Sequence, residues 1–104
     1  MKVKKITDNK YTFYQNGNDY ILNLGAILRG EDTTTELLFE EVENVDKLVV
    51  NTTCGCTTTE RNKIDKNTLS IKVKYSNCDP TFTKVLVCSD NGKDFKIKIT
   101  GSCR

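Results

Sequence analysis

The sequence contains no histidine and only one proline, Pro80. Without histidine the chain lacks the commonest general base. No run approaches the roughly 20 apolar residues of a membrane-spanning helix. The opening stretch MKVKKITDNKYTFYQ carries lysines but neither an apolar core nor a small-residue cleavage site, so no signal peptide is expected. Nucleophile elbow, P-loop and dinucleotide-type glycine patterns are missing as well. These absences argue against an enzyme and against a bound cofactor. They leave binding as the expected mode of action.

What remains is polar but not disordered. Of 104 residues, 37% are hydrophobic and 29% charged, and Val, Ile, Leu, Phe and Tyr recur at regular spacing. The length suits one domain, 1–104, with a thin core. Net charge is +2 but unevenly placed. Residues 25–60 hold two cationic against eight acidic side chains (−6), and residues 61–104 hold ten cationic against four acidic ones (+6). Two solvated faces would account for this. So would a bipolar module that meets a charged neighbour or its own copies. The basic half lacks an arginine cluster, so nucleic acid is not an expected partner, and neither is a membrane.

The hydrophobic period is two. TLSIKVKY alternates Leu69, Ile71, Val73 and Tyr75 against Ser70, Lys72 and Lys74, and DFKIKIT sets Phe95, Ile97 and Ile99 against Lys96 and Lys98. FTKVLVCS is apolar on both sides and reads as a central strand covered on both faces. Further strands are expected in KYTFYQ (10–15), DYILNLG (19–25), TTTELLFEEV (33–42) and KLVVNTT (47–53). NGN (16–18) and DNGKD (90–94) mark hairpin turns. The stretch 57–67 reads as a polar connection and residues 1–9 as an N-terminal arm ahead of a sandwich at 10–103. Gly17, Gly25, Gly30, Gly92 and Gly101 fall at turns or strand ends in this reading. About seven short antiparallel strands without a helix imply an all-β sandwich.

The five cysteines are Cys54, Cys56, Cys78, Cys88 and Cys103. An odd count without an export signal makes reduced thiols the expectation. Cys54-Gly55-Cys56 lacks the C-x-x-C spacing of zinc knuckles and redox motifs. A bridge inside so short a loop is disfavoured, and a longer one from Cys54 or Cys56 to Cys78 is the alternative in oxidising surroundings. The favoured reading is a structural corner, with Gly55 supplying an unusual backbone angle and the cysteines filling tight space. Tyr11, Phe13, Tyr14 and Tyr20 form an aromatic cluster suited to core packing or to anchoring a partner. Tyr11 and Tyr14 are the candidates for exposure, with Phe13 assigned to the opposite face. With Lys2, Lys4 and Lys5 of the arm they make up the partner-binding set.

The succession LNLGAILRGEDTTTELLFEEV, LVVNTTCGCTT, LSIKVKYS and FTKVLVCSDNGKDFKIKITGSC resembles bacterial Ig-like domains with a Cys-Gly-Cys-Thr signature, of the ASH/PapD-like group. The counterparts of that pattern are Leu24–Ile27, Gly30-Glu31, Leu38-Phe39, Cys54–Thr57, Ile71, Val73 and Tyr75, and Ile99 with Gly101. DKNT (65–68) and ENVDK (43–47) depart from it at two turns. The resemblance implies a single immunoglobulin-like β-sandwich without enzymatic activity. By analogy of size and fold it is similar to the small auxiliary, or decoration, proteins of tailed (crAss-like) phage capsids. That implies many copies bound to major capsid subunits in a virion assembled in the host cytoplasm. The first alternative is a protein-interaction domain of a bacterial surface or periplasmic assembly, and the second a small zinc or thiol module.

Overall fold

A computed structural model describes residues 1–104 as two packed β-sheets with no α-helix. The strands are β1 (Lys2–Lys5), β2 (Thr12–Asn16), β3 (Asp19–Ile27), β4 (Thr35–Glu40), β5 (Leu48–Thr52), β6 (Thr57–Asp65), β7 (Thr68–Tyr75), β8 (Phe82–Asp90) and β9 (Lys93–Cys103). A single 3₁₀ turn, Val45–Lys47, precedes β5. One sheet has the order β1-β4-β7-β6 and the other β2-β3-β9-β8-β5. Side chains that alternate along each strand meet between the sheets in a core of 21 residues, among them Leu37, Phe39, Ile71, Leu86, Ile97 and Ile99.

The hairpins form where the turn chemistry requires them. Asn91 and Gly92 both have positive φ, 50° and 83°, as the Asn-Gly turn between paired Asp90 and Lys93 needs. Gly17, with φ 65°, opens the two-residue turn between Asn16 and Asp19.

Nine strands replace the expected seven or so, for two local reasons. Residues 57–65 are not a loose connection but β6, paired with β7 along its length. Only Thr57 of β6 is buried, so an edge strand with water on most sides shows no apolar alternation. The first nine residues are not a free arm either, because Lys2–Lys5 pairs with β4. Nor is every pair antiparallel. β3 lies parallel to β9, with a bulge at Asn23/Gly25, and this brings Gly25 opposite Gly101 inside the sheet instead of at a strand end.

The reduced-thiol expectation is corrected. Cys54 bridges Cys56, and Cys78 bridges Cys103, not a cysteine of the corner. Cys88 alone is free, buried in the core, where desolvation pushes its thiol up to about 12. Such a thiol stays protonated and inert.

Tyr11 is also corrected. It shares the inward face with Phe13, and its hydroxyl donates to the Glu31 carboxylate at 2.5 Å. That bond, with Lys10 beside it at 3.2 Å, holds the Glu31 carboxyl below its ordinary value. A depressed carboxyl contributes stability that is whole above the ordinary value of 4.5 and is lost as pH falls through the folded value. Glu31→Gln is therefore expected to flatten the acid limb of stability below about pH 4.5. Urea midpoints measured across that range check it, and parallel acid limbs in both proteins would contradict it.

Candidate interaction surface

The outer faces of the two sheets differ in kind. On the four-stranded sheet, charges of opposite sign sit beside one another. Lys2 lies opposite Glu40, and Lys72 lies between Glu36 and Glu60. Lys4 reaches Glu40 at 3.0 Å, and Ser70 Oγ donates to Glu36 at 2.7 Å. Lys72 belongs to the basic half of the sequence and both its neighbours to the acidic half. The Lys63–Asp46 pair at 3.0 Å joins the halves in the same way. On this sheet strand order thus sets lysines of the basic segment beside carboxylates of the acidic one.

The outer face of the five-stranded sheet carries an open apolar row among polar side chains, with Asp19, Asp94, Lys96 and Lys98 on the same face. One cross-strand row runs Tyr14, Ile21, Lys98, Val85 across β2, β3, β9 and β8. Beside it Lys96 lies opposite Val87, and Val87 opposite Asn51. Tyr14, Val49 and Val87 are 49%, 45% and 40% exposed. Lys96 and Lys98 make no ion pair. β8 is central in its sheet as expected, but its outer side is open, not covered.

The two sides of the sandwich differ as well. Between β5 and β6 the Arg61 guanidinium closes the seam by donating to the carbonyls of Leu48, at 2.8 Å, and Val45, at 3.0 Å. Between β1 and β2 a groove of about 790 Å³ remains, lined by Val3, Lys5, Phe13, Tyr14 and Tyr20 among others. Phe13 stacks on Tyr20 at 5.5 Å, and Tyr20 meets Phe95 edge-on at 5.9 Å, so an aromatic path leads from the groove into the core. Tyr14 lies on both features, lining the groove and heading the apolar row.

Of the expected partner-binding residues, the structure thus leaves Tyr14 free. Lys2 and Lys4 are in exposed pairs with Glu41 (3.7 Å) and Glu40. Such pairs are worth at most about 1 kcal/mol and break easily on binding. Lys5 is committed to the fold, its Nζ donating to Asn9 Oδ1 at 2.6 Å and to the carbonyl of Tyr11. Tyr11 is core. Val49, Val85, Val87 and the two lysines of β9 were legible only as strand residues. Which side of β8 meets the core depends on the partner sheet.

Cys54, Gly55 and Cys56 form the crossing from β5 in one sheet to β6 in the other. Gly55 does not have positive φ, and a Cβ there would touch nothing within 4 Å, so the expected unusual backbone angle is absent. The crossing is a turn closed by the Thr57 N–H on the Cys54 carbonyl at 3.2 Å and by the disulfide.

Compared with known proteins, the chain matches no family model, no curated protein and no solved structure.

Proposed function

We propose that this chain is an immunoglobulin-like β-sandwich whose role is structural, a non-enzymatic auxiliary protein that decorates a repeating protein shell. The contrast between the two outer faces carries this reading. One face sets lysines beside carboxylates, while the other presents the open row of Tyr14, Ile21, Val85 and Val87 with Lys96 and Lys98 set into it. Exposed apolar area rimmed by polar groups marks interaction sites, and tyrosine is enriched at energetically dominant contact positions. The fitting partner surface carries carboxylates among apolar side chains. Major capsid subunits of a tailed phage are the class that analogy of size and fold suggests. Repetition over a shell turns a modest contact into firm attachment, and Lys96 and Lys98 set its orientation. Two disulfides suit a particle exposed to oxidising surroundings.

The open β1/β2 seam favours a second reading, an ASH/PapD-like interaction domain of a bacterial surface or periplasmic assembly. There a partner strand would add to the edge of β1 or β2, as extended segments do at free sheet edges.

Cross-linking and mass spectrometry on untagged particles distinguish the two. Links from Lys96 and Lys98 to a shell subunit are the expected result. Links confined to Lys2, Lys4 and Lys5 favour strand addition at the seam, and a free monomer overturns both readings. Tyr14→Ala and Lys98→Glu are expected to lower occupancy on the particle by about tenfold or more, equivalent to about 1.4 kcal/mol, with the urea midpoint unchanged. Unfolding of Tyr14→Ala would show that the ring is a core residue.

A further inference from the structure

We propose that Cys54–Cys56 is a thiol–disulfide exchange centre acting on peptide or protein dithiols. Its two cysteines are held in register by bonds that do not involve the bridge. The Thr57 N–H donates to the Cys54 carbonyl at 3.2 Å, and the Ser76 N–H donates to the Cys56 carbonyl at 2.9 Å. Thr53 Oγ1 donates to the carbonyl of Val85 at 3.2 Å, tying the residue before Cys54 to β8. With these contacts in place, opening the bridge leaves the two Cα atoms near their present 5.3 Å separation, inside the range a disulfide spans. The bridge can therefore close again without backbone movement. Its loop is three residues long, so it restrains little of the unfolded chain and the fold does not depend on it. Cys78–Cys103 is the opposite case, joining the β7–β8 loop to the end of β9 across 25 positions.

The two sulfurs are not equivalent. Both are half-buried, but Cys56 packs against the core cluster and Cys54 is not part of that packing. The Cys56 N–H donates to Cys54 Sγ at 3.3 Å, a contact that strengthens when that sulfur carries negative charge. A partner thiolate attacks the outer Cys54 Sγ, forming a mixed disulfide. The bond between Cys54 and Cys56 breaks with its electron pair passing to Cys56 Sγ, which takes a proton from solvent. The partner's second thiol gives its proton to solvent and attacks its own bonded sulfur. Cys54 leaves as a thiolate facing the Cys56 N–H and is then protonated. Two electrons have passed from the partner dithiol, now a disulfide, to the protein, now a dithiol. A small-molecule disulfide such as oxidised glutathione restores the bridge by the reverse route.

Folded protein equilibrated with graded ratios of reduced and oxidised glutathione, then alkylated and mapped by mass spectrometry, tests this. Cys54 and Cys56 are expected to pass reversibly between bridge and dithiol while Cys78–Cys103 stays closed and circular dichroism is unchanged. Opening of both bridges at the same ratio, together with loss of structure, overturns the proposal. In a second measurement the oxidised protein is mixed with a synthetic two-cysteine peptide. Cys56→Ser, previously loaded with glutathione on Cys54, is expected to take a one-cysteine version of the peptide into a mixed disulfide that persists, because neither a second peptide thiol nor Cys56 is there to resolve it. Cys54→Ser is expected to lower peptide oxidation by about tenfold or more, since the bridge that accepts the two electrons can no longer form. An unchanged rate in Cys54→Ser overturns the proposal whether or not either variant is less stable.

Discussion

Serine at both Cys78 and Cys103 is expected to destabilise the protein by about 3.5 kcal/mol, the loop-closure entropy of a bridge across 25 positions. A domain of this size holds about 5–15 kcal/mol in all, so the loss is a large share. The bridge anchors a set of contacts at one end of the sandwich. Tyr75 stacks on Phe82 at 4.0 Å and donates its hydroxyl to Asp79 at 2.8 Å. Lys84 reaches the same carboxylate at 3.6 Å, and the Cys103 N–H donates to the Asp79 carbonyl at 3.0 Å. Without the bridge these groups must be ordered by their own interactions. The check is urea unfolding of the double-serine protein beside a Cys54→Ser/Cys56→Ser protein. The three-residue loop of the latter predicts a loss of only about 1.5 kcal/mol. Equal losses would mean that loop length is not what the Cys78–Cys103 bridge contributes.

Gly101→Ala is expected to cost about 2–3 kcal/mol, through overpacking. A Cβ at Gly101 would stand 2.7 Å from the carbonyl oxygen of Gly25 and 2.8 Å from the Phe82 ring. Neither neighbour gives way cheaply. Gly25 is backbone in the bulge of the parallel β3/β9 pair with φ 65°, and Phe82 is held against Tyr75. The substitution therefore has to force β3 and β9 apart within the five-stranded sheet or push a core ring aside. Gly55→Ala is the control, because open space surrounds that position and its backbone angle suits any residue. Denaturation midpoints of the two variants decide the matter. A Gly101→Ala protein within about 0.5 kcal/mol of the parent would show that the strands yield there.

How far the sequence led depended on how local each feature is. In β7, Leu69, Ile71, Val73 and Tyr75 face inward against exposed Lys72 and Lys74, as alternation requires, and β9 follows the same pattern with Phe95, Ile97 and Ile99. The Asn-Gly turn at 91–92 needs only its own two residues. β6 escaped notice because an exposed edge strand buries too little to leave a pattern. β1 escaped because its strand character comes from pairing with β4, 32–38 positions away. Ser70 shows the limit of alternation, since it is buried although it lies on the outer side, drawn against Glu36 of the neighbouring strand.

Composition and spacing were enough to set an all-β chain, the inward set on each long strand and the place of the tight turns, because side-chain period and glycine angles act over a few residues. They could not set which cysteines pair, that Gly25 meets Gly101, that acidic and basic segments interleave, or which side of β8 is left bare. Each of these depends on which strands become neighbours. Strand order emerges only when two half-buried sheets close on a common core, so the open row of Tyr14, Ile21, Lys98 and Val85 exists only in the folded molecule.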